Sequence, residues 1–177
     1  MVFLSDVHQK EFGEQNSKLL KLIEVEAPNY IFVTGDILDD SLEKPLYLMK
    51  HLSAIAPVFV PGNHEFYSGL YAELKKKLIE MGVVVFMNNH LLLEENNEKI
   101  ALLGIEDPVF KGNVREKEYR HHSIKLLLHI KDDQFTEKAS LKPELDKAIK
   151  GVDHHLFTIL LSTGQNRCHY IRIILLI

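Results

Sequence analysis

Short apolar segments alternate with amphipathic helical segments along the first half of this chain. We expect buried strands where the apolar runs are brief, at residues 2–4, 30–33, 58–60 and 83–86. Apolar side chains at helical spacing predict helices between them, at residues 18–25, 45–55 and 70–81, with Asn16 and Ser17 as possible caps of the first. The repeated strand–helix–strand order predicts an α/β fold.

The second half of the chain follows a different pattern. Apolar runs at residues 91–93 and 100–103 flank a polar turn, which favours a hairpin-like pair of strands. Residues 111–134 have no clean period, and we interpret them as a surface excursion. A last helix over residues 137–150 and a strand over residues 156–161 complete the prediction.

Composition restricts the class of protein. A length of 177 residues suits one domain or a large piece of one, and 46% hydrophobic with 26% charged residues is ordinary for a folded protein. A net charge of −4 gives no excess positive field for nucleic acid. The single cysteine, Cys168, excludes an internal disulfide. With no signal-peptide pattern at Met1, and an apolar run at 170–177 too short for a membrane helix, we expect a cytoplasmic location.

Asp6 and His8 follow the first predicted strand. Side chains two apart in a strand point to the same face, so this pair could converge on one ion at the strand's carboxyl end. A D-x-H pattern alone fits a turn aspartate beside a surface histidine equally well. It therefore needs support from the rest of the chain.

The second and third strands also end in side chains that can bind metal. Gly35 and Asp36 follow the second strand, where Gly35 allows a sharp turn, and Asn63 and His64 follow the third. Asn63 offers a neutral carbonyl oxygen to a hard divalent ion, and His64 can hydrogen-bond a phosphate oxygen or give a proton. Such clusters after three consecutive strands predict a metal site.

In this order and spacing, the motifs D-x-H, G-D-x-x-D and G-N-H-E resemble the calcineurin-like metallophosphoesterase family. The resemblance covers residues 2 to about 162, and residues 104–108 are similar to a segment of many bacterial members. It implies the α/β/β/α sandwich of that family, incomplete at the C-terminus. We expect residues 1–162 to form the N-terminal part of the phosphoesterase domain and residues 163–177 an aberrant apolar tail.

The resemblance also implies a role for each motif residue. Asp6 and His8 would bind a first divalent ion, Asp36 would bridge two ions, Asn63 would hold the second, and His64 would assist at the phosphate or leaving group. Asp39 would support its loop. Mn²⁺, Fe²⁺ or Zn²⁺ is the expected metal. In the two-metal mechanism, ions about 3.5–4 Å apart activate a metal-bound hydroxide for attack on a phosphate ester.

The chain departs from the family pattern after Ser162. Family members continue with a histidine, often in S-H-R-P-E, and later carry G-H-x-H, whereas this chain continues with Thr163 and lacks both motifs. With three histidine ligands missing, the second ion keeps only Asp36 and Asn63. We therefore expect a weak second site and impaired activity.

The other histidines are not expected to substitute for those ligands. We interpret them as surface or isolated residues, namely His51, His90, His121, His122, His129, His154, His155 and His169.

A one-base deletion could explain the departure. Thr163 is encoded by ACN, and one extra C ahead of it would give the histidine codon CAC, after which Arg, Pro and Glu are permitted. We hypothesise a frameshift after Ser162 and a C-terminally truncated domain, which the nucleotide sequence would test.

Three interpretations stay open at this point. The first is a metal-dependent phosphoesterase with an unidentified phosphate-ester substrate, membrane-associated only through a missing upstream segment. The second is a non-catalytic binding or interaction domain that keeps the fold with one metal or none. The third is a misfolded fragment with exposed apolar edges.

Overall fold

The computed structural model of the protein describes residues 1–55, 57–95, 97–107, 110, 142–163 and 170–175. The chain forms two compact units, Met1–Phe86 and Met87–Ile177. Among the described residues, no helix combines the length and the apolar character needed to cross a membrane.

The first unit is a parallel sheet with helical connections. Its strands, in the order β1-β2-β3-β4 across the sheet, are β1 (Val2–Leu4), β2 (Ile31–Thr34), β3 (Pro57–Val60) and β4 (Val84–Val85). Its helices are α1 (Ser17–Glu26), α2 (Glu43–Leu52), α3 (Asn63–Tyr67) and α4 (Tyr71–Glu80), and a 3-10 turn at Glu14–Asn16 precedes α1. Each strand pairs in parallel with the next along the chain. The predicted alternation of strands and helices is confirmed.

Burial explains why these segments take up this arrangement. Every residue of β2 and β3 is buried, as expected for central parallel strands that carry helices. Val33 and Phe59 join one apolar cluster with Leu48 of α2 and Leu74 of α4, each no more than 1% exposed. Full burial of such side chains stabilises the fold by about 1.5–3 kcal/mol each.

The start of α1 differs from the expected cap. Asn16 occupies the N-cap position, but its side chain makes no capping hydrogen bond. Instead, the backbone N–H of Phe12 donates to Asn16 Oδ1 at 3.0 Å. Asn16 has a left-handed backbone (φ 61°), so its amide closes the preceding turn rather than the helix.

The second unit contains a mixed sheet in the order β5-β6-β7-β8. Its elements are β5 (Asn89–Glu95), β6 (Glu98–Ile105), α5 (Lys142–Ile149), β7 (Phe157–Ser162) and β8 (Tyr170–Leu175). Strands β5 and β6 pair antiparallel, which confirms the predicted hairpin-like pair, and β6 pairs in parallel with β7. Ala148 of α5 packs against Leu103 and Leu160 of the sheet.

The sequence predicted only an apolar tail where β8 lies, and this strand pairs antiparallel with β7.

The excursion at 111–134 lies outside the described residues, as do His121, His122, His129, Cys168 and His169. The helix predicted for 137–150 is seen as Lys142–Ile149. The domain boundary after residue 162 stays a prediction.

Candidate metal centre

The ends of β1, β2 and β3 place three polar loops at one edge of the parallel sheet. In the register of the sheet, Leu4 lies beside Val33 and Thr34 lies beside Val60, so the three strands end at nearly the same level. A polar segment follows each of the three strands at this edge. This edge is where open α/β sheets place their functional sites.

Asp6 and His8 converge, but not through strand alternation. Strand β1 ends at Leu4, and both residues have left-handed backbones, with φ of 52° for Asp6 and 46° for His8. The geometric reason expected from the sequence is therefore wrong. A turn instead brings His8 Nε2 to 3.5 Å from Asp6 Oδ1. This turn is tied to the neighbouring loop by the His8 backbone N–H, which donates to the Asp36 carbonyl oxygen at 2.9 Å.

Asp36 completes a group of three potential metal ligands. One ligand atom from each of Asp6, His8 and Asp36 lies within 4.8 Å of the others. Asp36 is buried, whereas Asp6 and His8 are half-buried. Two carboxylates and one imidazole suit a divalent ion such as Mn²⁺ or Zn²⁺, so the residues present fit a metal of the expected class.

Asp39 connects the two site histidines. Its Oδ1 lies 3.1 Å from His8 Nδ1 and 2.7 Å from His64 Nδ1. The two imidazole rings meet edge to face, with centroids 4.3 Å apart. An ionised carboxylate can only accept, so each Nδ1 carries the proton, and in the neutral ring each Nε2 is the acceptor. Asp39, His8 and His64 form a second group of potential metal ligands.

Two opposing effects act on the pKa of Asp39. Partial burial raises it, but the hydrogen bonds and positive charge of His8 and His64 outweigh burial, and the pKa lies below its ordinary value of 3.8. Asp39 is thus held in the charged form in which it accepts both hydrogen bonds. The sequence predicted only that Asp39 supports its loop.

Asn63 and His64 begin α3 directly after Gly62. Asn63 is 6% exposed and His64 is half-buried. The backbone N–H of His64 donates to Asp36 Oδ1 at 3.0 Å. This hydrogen bond ties the loop after β3 to the Asp36 side chain in the loop after β2. Asn63 and His64 therefore lie at the same edge of the sheet as Asp36.

Glu65 belongs to the G-N-H-E motif, but sequence reasoning gave it no role at the site. Its side chain is fully buried and accepts four backbone hydrogen bonds: Oε1 from Ile37 (2.9 Å) and Leu38 (3.1 Å), Oε2 from Asp36 (2.8 Å) and Gly62 (2.6 Å). Burial raises the pKa of Glu65, and the N–H donors oppose that change. The available signal was a glutamate at the third position of a helix, where it can accept from the N-cap N–H.

Other histidines lie apart from this group. His154 and His155 are exposed, as predicted, and form a third potential ligand group with exposed Asp153 before β7. Exposed groups of this kind are common without an ion. The Nδ1 of His90 pairs with the Ala148 carbonyl oxygen at 2.8 Å, and that of His51 pairs with the carbonyl oxygen one turn before it. Within the described part of the chain, these three groups are the sets of three or more clustered His, Cys, Asp or Glu ligands.

Comparison with known proteins identifies relatives of this chain. The family model of the calcineurin-like phosphoesterases matches residues 1–158. The chain is 26% identical over 115 residues to the uncharacterized metallophosphoesterase YkoQ of Bacillus subtilis, which covers 60% of this chain and 43% of that protein. It is 24% identical over 173 residues to an uncharacterized metallophosphoesterase of Helicobacter pylori, which covers 92% of this chain and 37% of that protein. The chain thus spans less than half the length of these curated relatives.

A solved structure shows the same fold. The phosphopantetheinyl hydrolase of Mycobacterium tuberculosis superposes with a TM-score of 0.54 and 17% identity, over 91% of this chain and 67% of that one. At this identity the likeness concerns the fold alone. The family model, the curated relatives and the fold agree with the motif resemblance. This chain belongs to the calcineurin-like phosphoesterase family.

Proposed function

We propose that this chain binds a divalent metal ion through Asp6, His8 and Asp36 and hydrolyses phosphate esters. The observation that carries the proposal is the clustering of these three ligand atoms within 4.8 Å at the carboxyl edge of a parallel sheet. A bound ion would supply positive charge that polarises the phosphoryl group and lowers the pKa of a coordinated water. No serine or cysteine nucleophile is required for such hydrolysis.

His64 is proposed as the catalytic proton donor or phosphate-binding group. Asp39 accepts from its Nδ1, so a protonated imidazole would present Nε2–H to the leaving-group oxygen. Asp39 acts through His64 and is a positioning residue. Because the same oxygen contacts Nδ1 of His8, Asp39 also orients the Nε2 of His8 that lies near Asp6.

A second ion would have fewer ligands among the described residues. We propose that Asp36 would be shared with it and that the buried Asn63 would supply its amide oxygen. Divalent ions of this kind favour about six ligands, so water would fill most of the second shell. We therefore expect a weak second site and slow hydrolysis.

The same ligand count favours a second candidate function. With one well-held ion, the fold could serve as a non-catalytic binding or interaction domain whose surface the metal organises. The proposed substrate class stays at phosphate esters in general, because this scaffold serves many substrates. The net charge of −4 does not favour nucleic acid among them.

The test combines metal binding with hydrolysis. Protein stripped with EDTA is titrated with Mn²⁺ by calorimetry and assayed on bis-p-nitrophenyl phosphate. We expect one Mn²⁺ bound clearly more tightly than any second, and slow hydrolysis that the Asp6→Asn substitution abolishes together with tight binding. Asp146→Asn, at an exposed carboxylate of α5, is the matched control.

The possible outcomes separate the candidates. Absence of Mn²⁺ binding would overturn the proposal that Asp6, His8 and Asp36 form a metal centre. Tight binding without hydrolysis would support the interaction domain. Two tightly bound ions with rapid hydrolysis would contradict the weak second site.

A further inference from the structure

Glu65 presents two buried carboxyl oxygens, which accept four backbone N–H groups, to an unusual stretch of backbone. Gly35 and Asp36 both have left-handed backbones, with φ of 69° and 56°. Aspartate enters this region more readily than most residues, yet for any residue but glycine the conformation is less stable than an ordinary helical or extended backbone. At Asp36 an interaction with the surrounding structure helps to hold it.

The four hydrogen bonds to Glu65 supply that interaction. Successive N–H groups of Asp36, Ile37 and Leu38 point to one carboxylate. Backbone turns whose consecutive N–H groups converge in this way form an anion-binding concavity. Here the anion is Glu65 itself, and its fourth donor, the Gly62 N–H, belongs to the loop after β3. One carboxylate thus fastens two loops of the sheet edge together.

Helix α3 consequently holds Asp36 at two points. Glu65 binds the backbone of Asp36, and the His64 N–H binds its Oδ1. We infer that Glu65 is a positioning residue of the metal centre: it fixes the left-handed backbone that directs the Asp36 carboxylate toward Asp6 and His8. This inference rests on the proposed function, since it concerns how tightly that site binds metal. The four donors to Glu65 are all backbone N–H groups, so Glu65 acts on the metal ligands through the backbone.

The substitution Glu65→Gln tests this role. The amide keeps the size of the side chain but turns an NH₂ toward backbone N–H donors, so the loop of Asp36 must move. We expect Mn²⁺ affinity to fall tenfold or more, the usual consequence of removing a group that orients a metal ligand. Glu73→Gln, at an exposed glutamate of α4, should bind Mn²⁺ like the unmodified protein.

A further control separates positioning from general loss of stability. Leu74→Ala removes a fully buried side chain of α4 and should destabilise the unit without moving the loops. Affinities are measured at a temperature at which every variant is folded. If Leu74→Ala lowers stability as much as Glu65→Gln but leaves Mn²⁺ affinity unchanged, the effect at Glu65 is one of positioning. Equal affinity in Glu65→Gln and the unmodified protein would overturn the inference.

Amide NMR gives a readout that needs no metal. In the metal-free, unmodified protein the N–H groups of Asp36, Ile37, Leu38 and Gly62 should exchange slowly and resonate downfield, as donors to a buried carboxylate. Fast exchange at these amides would overturn the inference even if Glu65→Gln fails to fold. If the unmodified protein binds no Mn²⁺ while these amides are protected, the proposed function fails and the contact of Glu65 with the loop stands.

Discussion

Gly62 lies against Asp36 so closely that a side chain at position 62 would have to displace the Asp36 carboxylate. A Cβ atom at Gly62 would overlap Asp36 Oδ1 and lie 2.9 Å from its Cγ and 3.0 Å from its backbone N. The backbone of Gly62 is in an ordinary extended region (φ −101°), so space and not conformation requires the glycine.

The Gly62→Ala substitution should therefore displace the Asp36 side chain. We expect Mn²⁺ affinity to fall by about 10–100-fold, measured by calorimetry on folded protein. Gly69→Ala is the control: its Cβ would meet open space, and its positive φ of 70° costs about 1 kcal/mol of stability without touching the site. Equal Mn²⁺ affinity in both variants would show that Asp36 is not a ligand or can relax freely.

Removal of His64 should separate catalysis from metal binding. We expect His64→Ala to lower the hydrolysis rate by about 10²–10⁴-fold, the range for loss of a general acid, with Mn²⁺ affinity at the Asp6 group changed little. His51→Ala, at an exposed histidine of α2, should leave both quantities unchanged. A large loss of Mn²⁺ affinity in His64→Ala would instead place His64 among the ligands, in the group it forms with His8 and Asp39.

Asp39→Asn should weaken the hold on both imidazole rings. The side-chain amide is a neutral acceptor and can turn its NH₂ toward the rings, so the preference for a proton on Nδ1 of His8 and His64 is weakened. We expect the nitrogen NMR shifts of both rings to move away from the Nδ1–H tautomer and the hydrolysis rate to fall about 10–100-fold. Asp40→Asn, at the exposed neighbouring carboxylate, should change neither. Unchanged tautomers would refute the shared role of Asp39.

Metal should stabilise the folded chain by mass action. At a free Mn²⁺ concentration of 100 times Kd, the free energy of unfolding rises by about 2.7 kcal/mol, which a thermal melt with and without EDTA would detect. Asp6→Asn should lose this stabilisation, and Asp146→Asn should retain it. A melting temperature that does not respond to Mn²⁺ in the unmodified protein would argue against a metal ligand group in the native state.

The order of strands and helices and the edge that carries the candidate site could be predicted from the sequence. Apolar runs and helical spacing are local signals, so strands such as Pro57–Val60 fall within a residue or so of their predicted positions. Since parallel strands end at the same edge of a sheet, the order of the strands alone is enough to place the polar residues after β1, β2 and β3 together. Sequence patterns alone therefore predict the fold class and place Asp6, His8, Asp36, Asn63 and His64 at one edge of the sheet.

How these residues are held there depends on contacts between loops that are far apart in the sequence. The turn that joins Asp6 to His8 needs left-handed backbones, and Glu65 reaches Asp36 across 29 residues of chain. Asp39 meets His8 across 31 residues and His64 across 25. Local patterns carry no information on such contacts, because the hydrogen bonds form only when loops from different strands are already side by side.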